Sequence, residues 1–200
     1  MKNSPIRTLF ARQHDTVLPK LGVFLAGPTP SEGKMLSGWR RVLIEQLKQD
    51  SRLNASMIVV SPEPETGKWS DIDNENPKNQ LELIRDKQIP WEWQYLNLCD
   101  ITAFWLPTYW NESQSGVFDP NIGPTSRLEF GYFLQEVLKS PQKRKFIVGS
   151  PEDAQSMKWA QKMAEVNGIH WHILPTSEKS QVIAPSFVCL LYTSPSPRDA

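Results

Sequence analysis

Leu21-Gly22-Val23-Phe24-Leu25-Ala26 is a short apolar run stopped by Gly27-Pro28-Thr29-Pro30. An apolar run of that length, bounded by Gly and Pro, reads as a strand buried on both faces that ends in a tight loop. Downstream, Trp39, Val42, Leu43 and Leu47 fall at helical spacing, with Arg40, Arg41, Glu45 and Lys48 off that stripe and Ser31 or Ser37 as candidate N-caps. A second apolar run, Met57-Ile58-Val59-Val60, ends in Ser61-Pro62-Glu63-Pro64, which completes a strand, helix, strand unit. Further strands are expected over 101–106, 145–149 and 169–174, alternating with helices over 81–100, 128–138 and 153–166. Near-continuous apolar strands alternating with helices specify an α/β fold with a five-stranded parallel sheet covered on both faces. In such sheets ligands bind beyond the carboxyl ends of the strands, where the strand order reverses.

Those ends gather the unusual residues. Gly27, Pro28 and Thr29 follow the first strand, Ser61 to Glu63 the second, and a polar loop over 109–124 the third. A long loop leaving a buried strand marks a site more often than a spacer. It ends in Thr125-Ser126-Arg127-Leu128-Glu129-Phe130-Gly131-Tyr132, where Ser126 and Glu129 have the spacing of a capping box. The helix beyond is expected to bury Leu128, Tyr132, Phe133 and Val137, with Gly131 allowing close packing. In the helix over 81–100, Pro90 is a break or first-turn residue, and Ile89, Leu96 and Cys99 form the buried stripe. Glu92 falls on that stripe, Trp93 at its border, and Trp91 is expected to point away. A carboxylate facing a core is costly unless it is paired or used. Trp69, the one large apolar residue of 65–79, is either a plug against the core or a wall of the site.

Acidic and basic residues balance at 22 each, so no net field favours nucleic acid or an anionic membrane surface as partner. A small ligand or a protein is the expected partner. Cys99 and Cys189 offer no disulfide framework and no metal spacing, and His170-x-His172 has no acidic or Cys companion, so no metal is expected. There is no apolar leader and no run approaching a membrane span, which places the chain in a reducing, cytoplasmic setting. Residues 1–20, with Pro5 and Pro19 and no periodicity, read as an extended or poorly ordered arm. On residue types alone, two carboxylates with several Trp residues and neither metal nor Cys suit acid and nucleophile chemistry on a glycosidic bond, as one option among several.

Val23-Phe24-Leu25-Ala26-Gly27-Pro28, Gln88-Ile89-Pro90-Trp91-Glu92 with Asp100-Ile101, Phe104-Trp105-Leu106-Pro107, and Thr125-Ser126-Arg127-Leu128-Glu129-Phe130-Gly131 occur in that order. Together they resemble the nucleoside 2-deoxyribosyltransferase family, closest to its bacterial deoxyribosyltransferase-like branch, over residues 23–174. The resemblance implies a flavodoxin-like (Rossmann-like) three-layer fold and a double displacement at the anomeric carbon of deoxyribose, with no cofactor. It assigns Glu129 as nucleophile and Glu92 as the residue exchanging a proton with the base. The substrate is then a small nucleoside or nucleotide, bound also by Gly27, Pro28, Thr29, Trp69, Thr125, Ser126 and Arg127. Typical members hold the sugar hydroxyls with an acidic residue where Gly123 stands here, leaving Asp119, Asn121 or Ser126 to substitute. They also carry a tyrosine in the first loop, where this chain has Pro28-Thr29.

Three functions remain open at this point. The chain is a transferase, an N-glycoside hydrolase using the same glutamate, or an inactive nucleotide-sensing module. Ser126, Arg127 and the helix start could hold a phosphate. Residues 21–188 are expected to form the domain. Residues 189–200 resemble one reading frame of an adapter used in preparing sequencing libraries and are expected to stand outside the fold, with the true C-terminus missing. In typical members that end contributes to a neighbouring subunit's pocket, so the resemblance allows a homo-oligomer.

Overall fold

The computed structural model describes residues 6–15, 21–29, 38–50, 57–72, 84–106, 124–140, 145–152, 154 and 157–174. Six strands form one parallel sheet: β1 (Arg7–Leu9), β2 (Leu21–Ala26), β3 (Met57–Val60), β4 (Ile101–Trp105), β5 (Lys145–Pro151) and β6 (Trp171–Leu174). Their spatial order is β1-β3-β2-β4-β5-β6. Without β1 this is the flavodoxin-like order, with the reversal at β2, which pairs with β3 on one side and β4 on the other. The helices are α1 (Trp39–Gln49), α2 (Ile89–Leu98), α3 (Pro124–Lys139) and α4 (Lys158–Val166).

Strand alternation sorts the core into two layers. Val23, Leu25, Met57, Val59, Ala103 and Trp105 pack with Trp39, Leu43, Ile44 and Leu47 of α1. Phe24, Ile58, Val60 and Phe104 face the opposite way and pack with Tyr95 of α2, Phe130, Phe133 and Leu134 of α3, and Ala160 and Ala164 of α4. Three layers, helix, sheet and helix, follow from that division.

The strand count corrects the sequence expectation: the sheet has six strands, and the sixth comes from the supposed arm. Thr8 lies opposite Val59 in a parallel ladder that continues as Ser61 N–H to Leu9 O (2.8 Å) and Ala11 N–H to Glu63 O (3.0 Å). Leu9, Phe10 and Ala11 are buried. A strand of three residues carries no readable period, so its signal was absent from the pattern. The arm also explains Trp91, which is buried rather than turned away, because its indole N–H donates to Gln13 O at 2.7 Å. Ile89, expected inside, is exposed, and the buried residues of α2 are Trp91, Tyr95 and Leu96. Pro90 sits in the first turn as expected.

Helix α3 is likewise rotated from expectation. Leu128 (77%) and Tyr132 (45%) are exposed, while Phe130, Phe133, Leu134 and Val137 are buried at i, i+3, i+4 and i+7. The aromatic cluster decides the rotation: the Phe130 ring lies 5.9 Å from Phe104, 5.7 Å from Phe146 and 5.9 Å from Trp171. Gly131 serves no close packing, since a Cβ there would meet nothing within 4 Å.

Candidate active site

Glycine at 27 is demanded by the fold. Its φ is +145°, and an added Cβ would stand 2.1 Å from the Trp105 carbonyl oxygen, so the loop leaving β2 crosses the end of β4 in backbone contact. Gly27 therefore makes its close approach to β4. Trp39 and Arg40, opening α1, hold this loop from its other side. The Trp39 indole donates to Pro28 O at 3.1 Å. Arg40 Nε donates to Leu25 O (2.9 Å), Nη2 to Gly27 O, and Nη1 to Pro28 O (3.3 Å) and Thr29 Oγ1 (3.4 Å). Gly27, Pro28 and Thr29 are thus placed where the sequence put them, at the carboxyl end of β2.

Arg40 is wholly buried, although the helical pattern placed it on the solvent side. Its partner is Glu63, also wholly buried, with Nη1 and Oε1 2.6 Å apart. The ion pair ties the loop after β2 to the loop after β3. The neighbouring Arg41 donates to Pro64 O and to Glu65 O (2.7 Å), and its guanidinium lies 4.2 Å over the Phe10 ring. A charge pattern on a helix cannot reveal such a residue, because Arg is a solvent marker in periodicity arguments. The readable hint was Glu63, an acid set between two prolines at a strand end.

Glu92 stands in the first turn of α2. Gln88, itself buried, donates through Nε2 to Glu92 Oε1 (2.7 Å) and to Pro62 O (3.3 Å), so the same loop after β3 that carries Glu63 also orients Glu92. Glu129 stands in the second turn of α3. The helix begins at Pro124, two residues before Ser126, so Ser126 is no N-cap and the Ser-x-x-Glu spacing is no capping box. Proline at the first helical position explains the earlier start. Ser126 is buried on the same face as Phe130.

The two carboxylates feel each other and a common cation. Burial raises the Glu92 carboxyl above its ordinary range against the hydrogen bond from Gln88 and the charge of Arg40. Burial and the charge of Glu92 raise Glu129 to about 7, again against Arg40. Two like charges in a poorly solvated site cannot both ionise cheaply, so beside the Glu92 charge Glu129 keeps its proton until about that pH. One charged and one protonated carboxyl group is the state that nucleophile and acid chemistry require together.

Compared with protein-family models and with curated proteins, the chain matches none.

The remaining candidates divide. Thr125 is exposed and Arg127 half-buried, with Arg127 Nε and Nη2 enclosed and without a hydrogen-bond partner among the described residues. Trp69 lies on the short turn Trp69–Asp71 with the Arg12 guanidinium 5.8 Å over its ring, a second stacking partner for a residue expected as plug or wall. Asp119, Asn121, Gly123 and residues 189–200 lie outside the described residues, as do Ser31 and Ser37; α1 is preceded by Gly38. Among the described residues no group of three or more His, Cys, Asp or Glu could hold a metal ion, and no helix is long and apolar enough to cross a membrane. A cavity of about 360 Å³ lined by Gln161, Glu165, Gly168 and His170 opens beside α4 and the start of β6. It lies toward the amino end of a parallel strand, opposite the edge that holds Gly27 and Glu63.

Proposed function

We propose that the chain is an enzyme acting on the N-glycosidic bond of a 2-deoxynucleoside or its nucleotide, of the nucleoside 2-deoxyribosyltransferase type. The observation that supports the reading is the half-buried pair of Glu129 and Glu92, brought from two helices to one electrostatic neighbourhood, with both carboxyl groups raised and Glu129 raised to about 7. In this reading the proton that Glu129 holds in the empty site resides on Glu92 once substrate is bound; a Glu129 carboxylate oxygen then attacks the anomeric carbon as the bond to the base breaks, and the Glu92 carboxyl gives its proton to the departing base nitrogen. The resulting glycosyl ester is resolved by a second base, whose ring proton passes back to Glu92. The flavodoxin-like order supports the placement, since both residues serve the carboxyl edge at β2 where that order reverses.

Water in place of the second base makes the same site a hydrolase. A nucleotide donor is favoured over a nucleoside by Arg127 of the first turn of α3, whose Nε and Nη2 have no partner among the described residues, since a helix start accommodates a phosphate. A buried Cys99 outside any disulfide suits a reducing cytoplasm. The test is incubation of the purified protein with a deoxynucleoside, or its 5′-monophosphate, with and without a second free base. Transferred nucleoside supports the transferase, free base alone the hydrolase, and neither product under any arm overturns the reading.

A further inference from the structure

We propose that Arg40, the buried cation among the described residues, is a positioning residue for the site of Glu92 and Glu129, fixing the 27–29 loop and tying it through Glu63 to the loop that orients Glu92. The proposal rests on reading those two glutamates as the reacting groups. Arg40 reaches three parts of the fold at once: β2 through Leu25 O, the loop beyond it through Gly27 O and Pro28 O, and the loop after β3 through Glu63. Stability alone does not call for this arrangement, because a buried ion pair can usually be replaced by well-packed apolar side chains at no loss. What the apolar replacement lacks is charge. Glu63 from the β3 loop is bonded to the guanidinium, and the charge of Arg40 acts on Glu92 from α2 and Glu129 from α3, while Arg41 interacts with Glu63.

A second route joins the same parts. Glu63 follows Pro62, whose carbonyl accepts from Gln88, and Gln88 in turn donates to Glu92. The orientation of the Gln88 amide is set, since both of its near neighbours are acceptors and only the nitrogen can serve them. Movement of the β3 loop therefore reaches Arg40 and Glu92 together. Arg40 opposes the burial that drives both carboxyl groups toward their neutral forms, which lets one of them ionise near neutral pH.

The test removes the charge while keeping the packing. Arg40→Met alone would strand a buried Glu63, so the variant is Arg40→Met with Glu63→Leu, beside Arg40→Lys. Side-chain carboxyl carbons of labelled glutamate are titrated by NMR, with Glu92→Gln and Glu129→Gln giving the assignments. In the folded double variant both midpoints should rise by about one pH unit, the scale of losing a nearby opposite charge, and both limbs of the rate profile should move with them. Arg40→Lys should keep the midpoints close to the parent's while KM rises several-fold, because an ammonium retains the charge but not the fork that holds Gly27 and Pro28. Unmoved midpoints in the double variant, or lysine midpoints as high as those expected without the charge, overturn the proposal. A lysine variant with the parent's KM overturns the positioning half of it. If the double variant does not fold, the lysine variant decides alone. The titrations need no substrate, so a parent that neither transfers nor hydrolyses deoxyribose overturns the glycosyl reading and leaves the Arg40 result standing.

Discussion

Glu129→Gln should leave the protein more stable at pH 8 than the parent, and no more stable at pH 4. The sign comes from the raised carboxyl. In the unfolded chain Glu129 loses its proton near the ordinary value of 4.5, while in the folded chain it keeps it to about 7. Between those values the folded state binds more protons than the unfolded one, so this residue's contribution to stability is complete below 4.5 and is lost as pH rises to about 7. Each tenfold change in acidity corresponds to about 1.4 kcal/mol, which makes the loss roughly 3 kcal/mol above pH 7, or somewhat less with the side chain's partial exposure. Gln carries the shape and hydrogen-bonding capacity without the charge and escapes that loss. For a domain of this size roughly 3 kcal/mol corresponds to about 6–12 °C in Tm. Urea unfolding of parent and variant at half-unit pH intervals gives the difference directly, and its change should fall between pH 4.5 and 7. A difference that does not vary with pH, or a variant that is less stable at pH 8, would mean that the carboxylate is solvated or stabilises the helix, and the premise of a strained ionisable pair would go with it.

Glu92→Gln should fold normally and retain Gln88 as a hydrogen-bond neighbour, yet slow turnover by about a hundredfold to ten-thousandfold, the usual worth of a general acid, as steady-state kinetics will show. In the same variant the Glu129 midpoint should fall below about 7, because the charge of Glu92 contributes to its elevation. Gly27→Ala should cost about 3 kcal/mol or more in chemical denaturation, combining a conformation reserved for glycine with a collision against the Trp105 carbonyl. Phe10→Ala should cost about 3 kcal/mol and lower the Tm, since Phe10 is buried under the Arg41 guanidinium; an unchanged Tm would return the first residues to the status of a loose arm.

The central strands were legible because they are buried on both faces, which makes them continuous apolar runs that punctuation by Gly and Pro sets off clearly. Strand β1 was not, since three residues at a sheet edge have no period, and Leu9, the buried one of the three, packs in the cluster of Ile58 and Val60, remote in sequence. Helix phase failed where aromatics were abundant. In α2 and α3 almost any rotation buries several large apolar residues, and the choice was made by contacts with Phe104, Phe146 and Gln13 that no local pattern contains. Glu92 was singled out as a carboxylate on an expected apolar stripe, although Ile89 of that stripe is exposed and the helix buries Trp91, Tyr95 and Leu96 instead. Arg40 could not be found, because an arginine beside a stripe obeys the pattern. Ser126 misled for the opposite reason: Ser-x-x-Glu is a strong local signal for a helix start, and Pro124 had already begun the helix.

Whether Glu129 forms a bond to the sugar is the most direct question to put to this molecule. A 2-fluoro-substituted nucleoside that slows release of the glycosyl ester should raise the mass of the intact parent by one fluorinated sugar, with the adduct mapping to the peptide that contains Glu129. Glu129→Gln should show no adduct and neither transfer nor hydrolysis, while still binding nucleoside. Full turnover in Glu129→Gln, or an adduct on any other residue, would contradict the account.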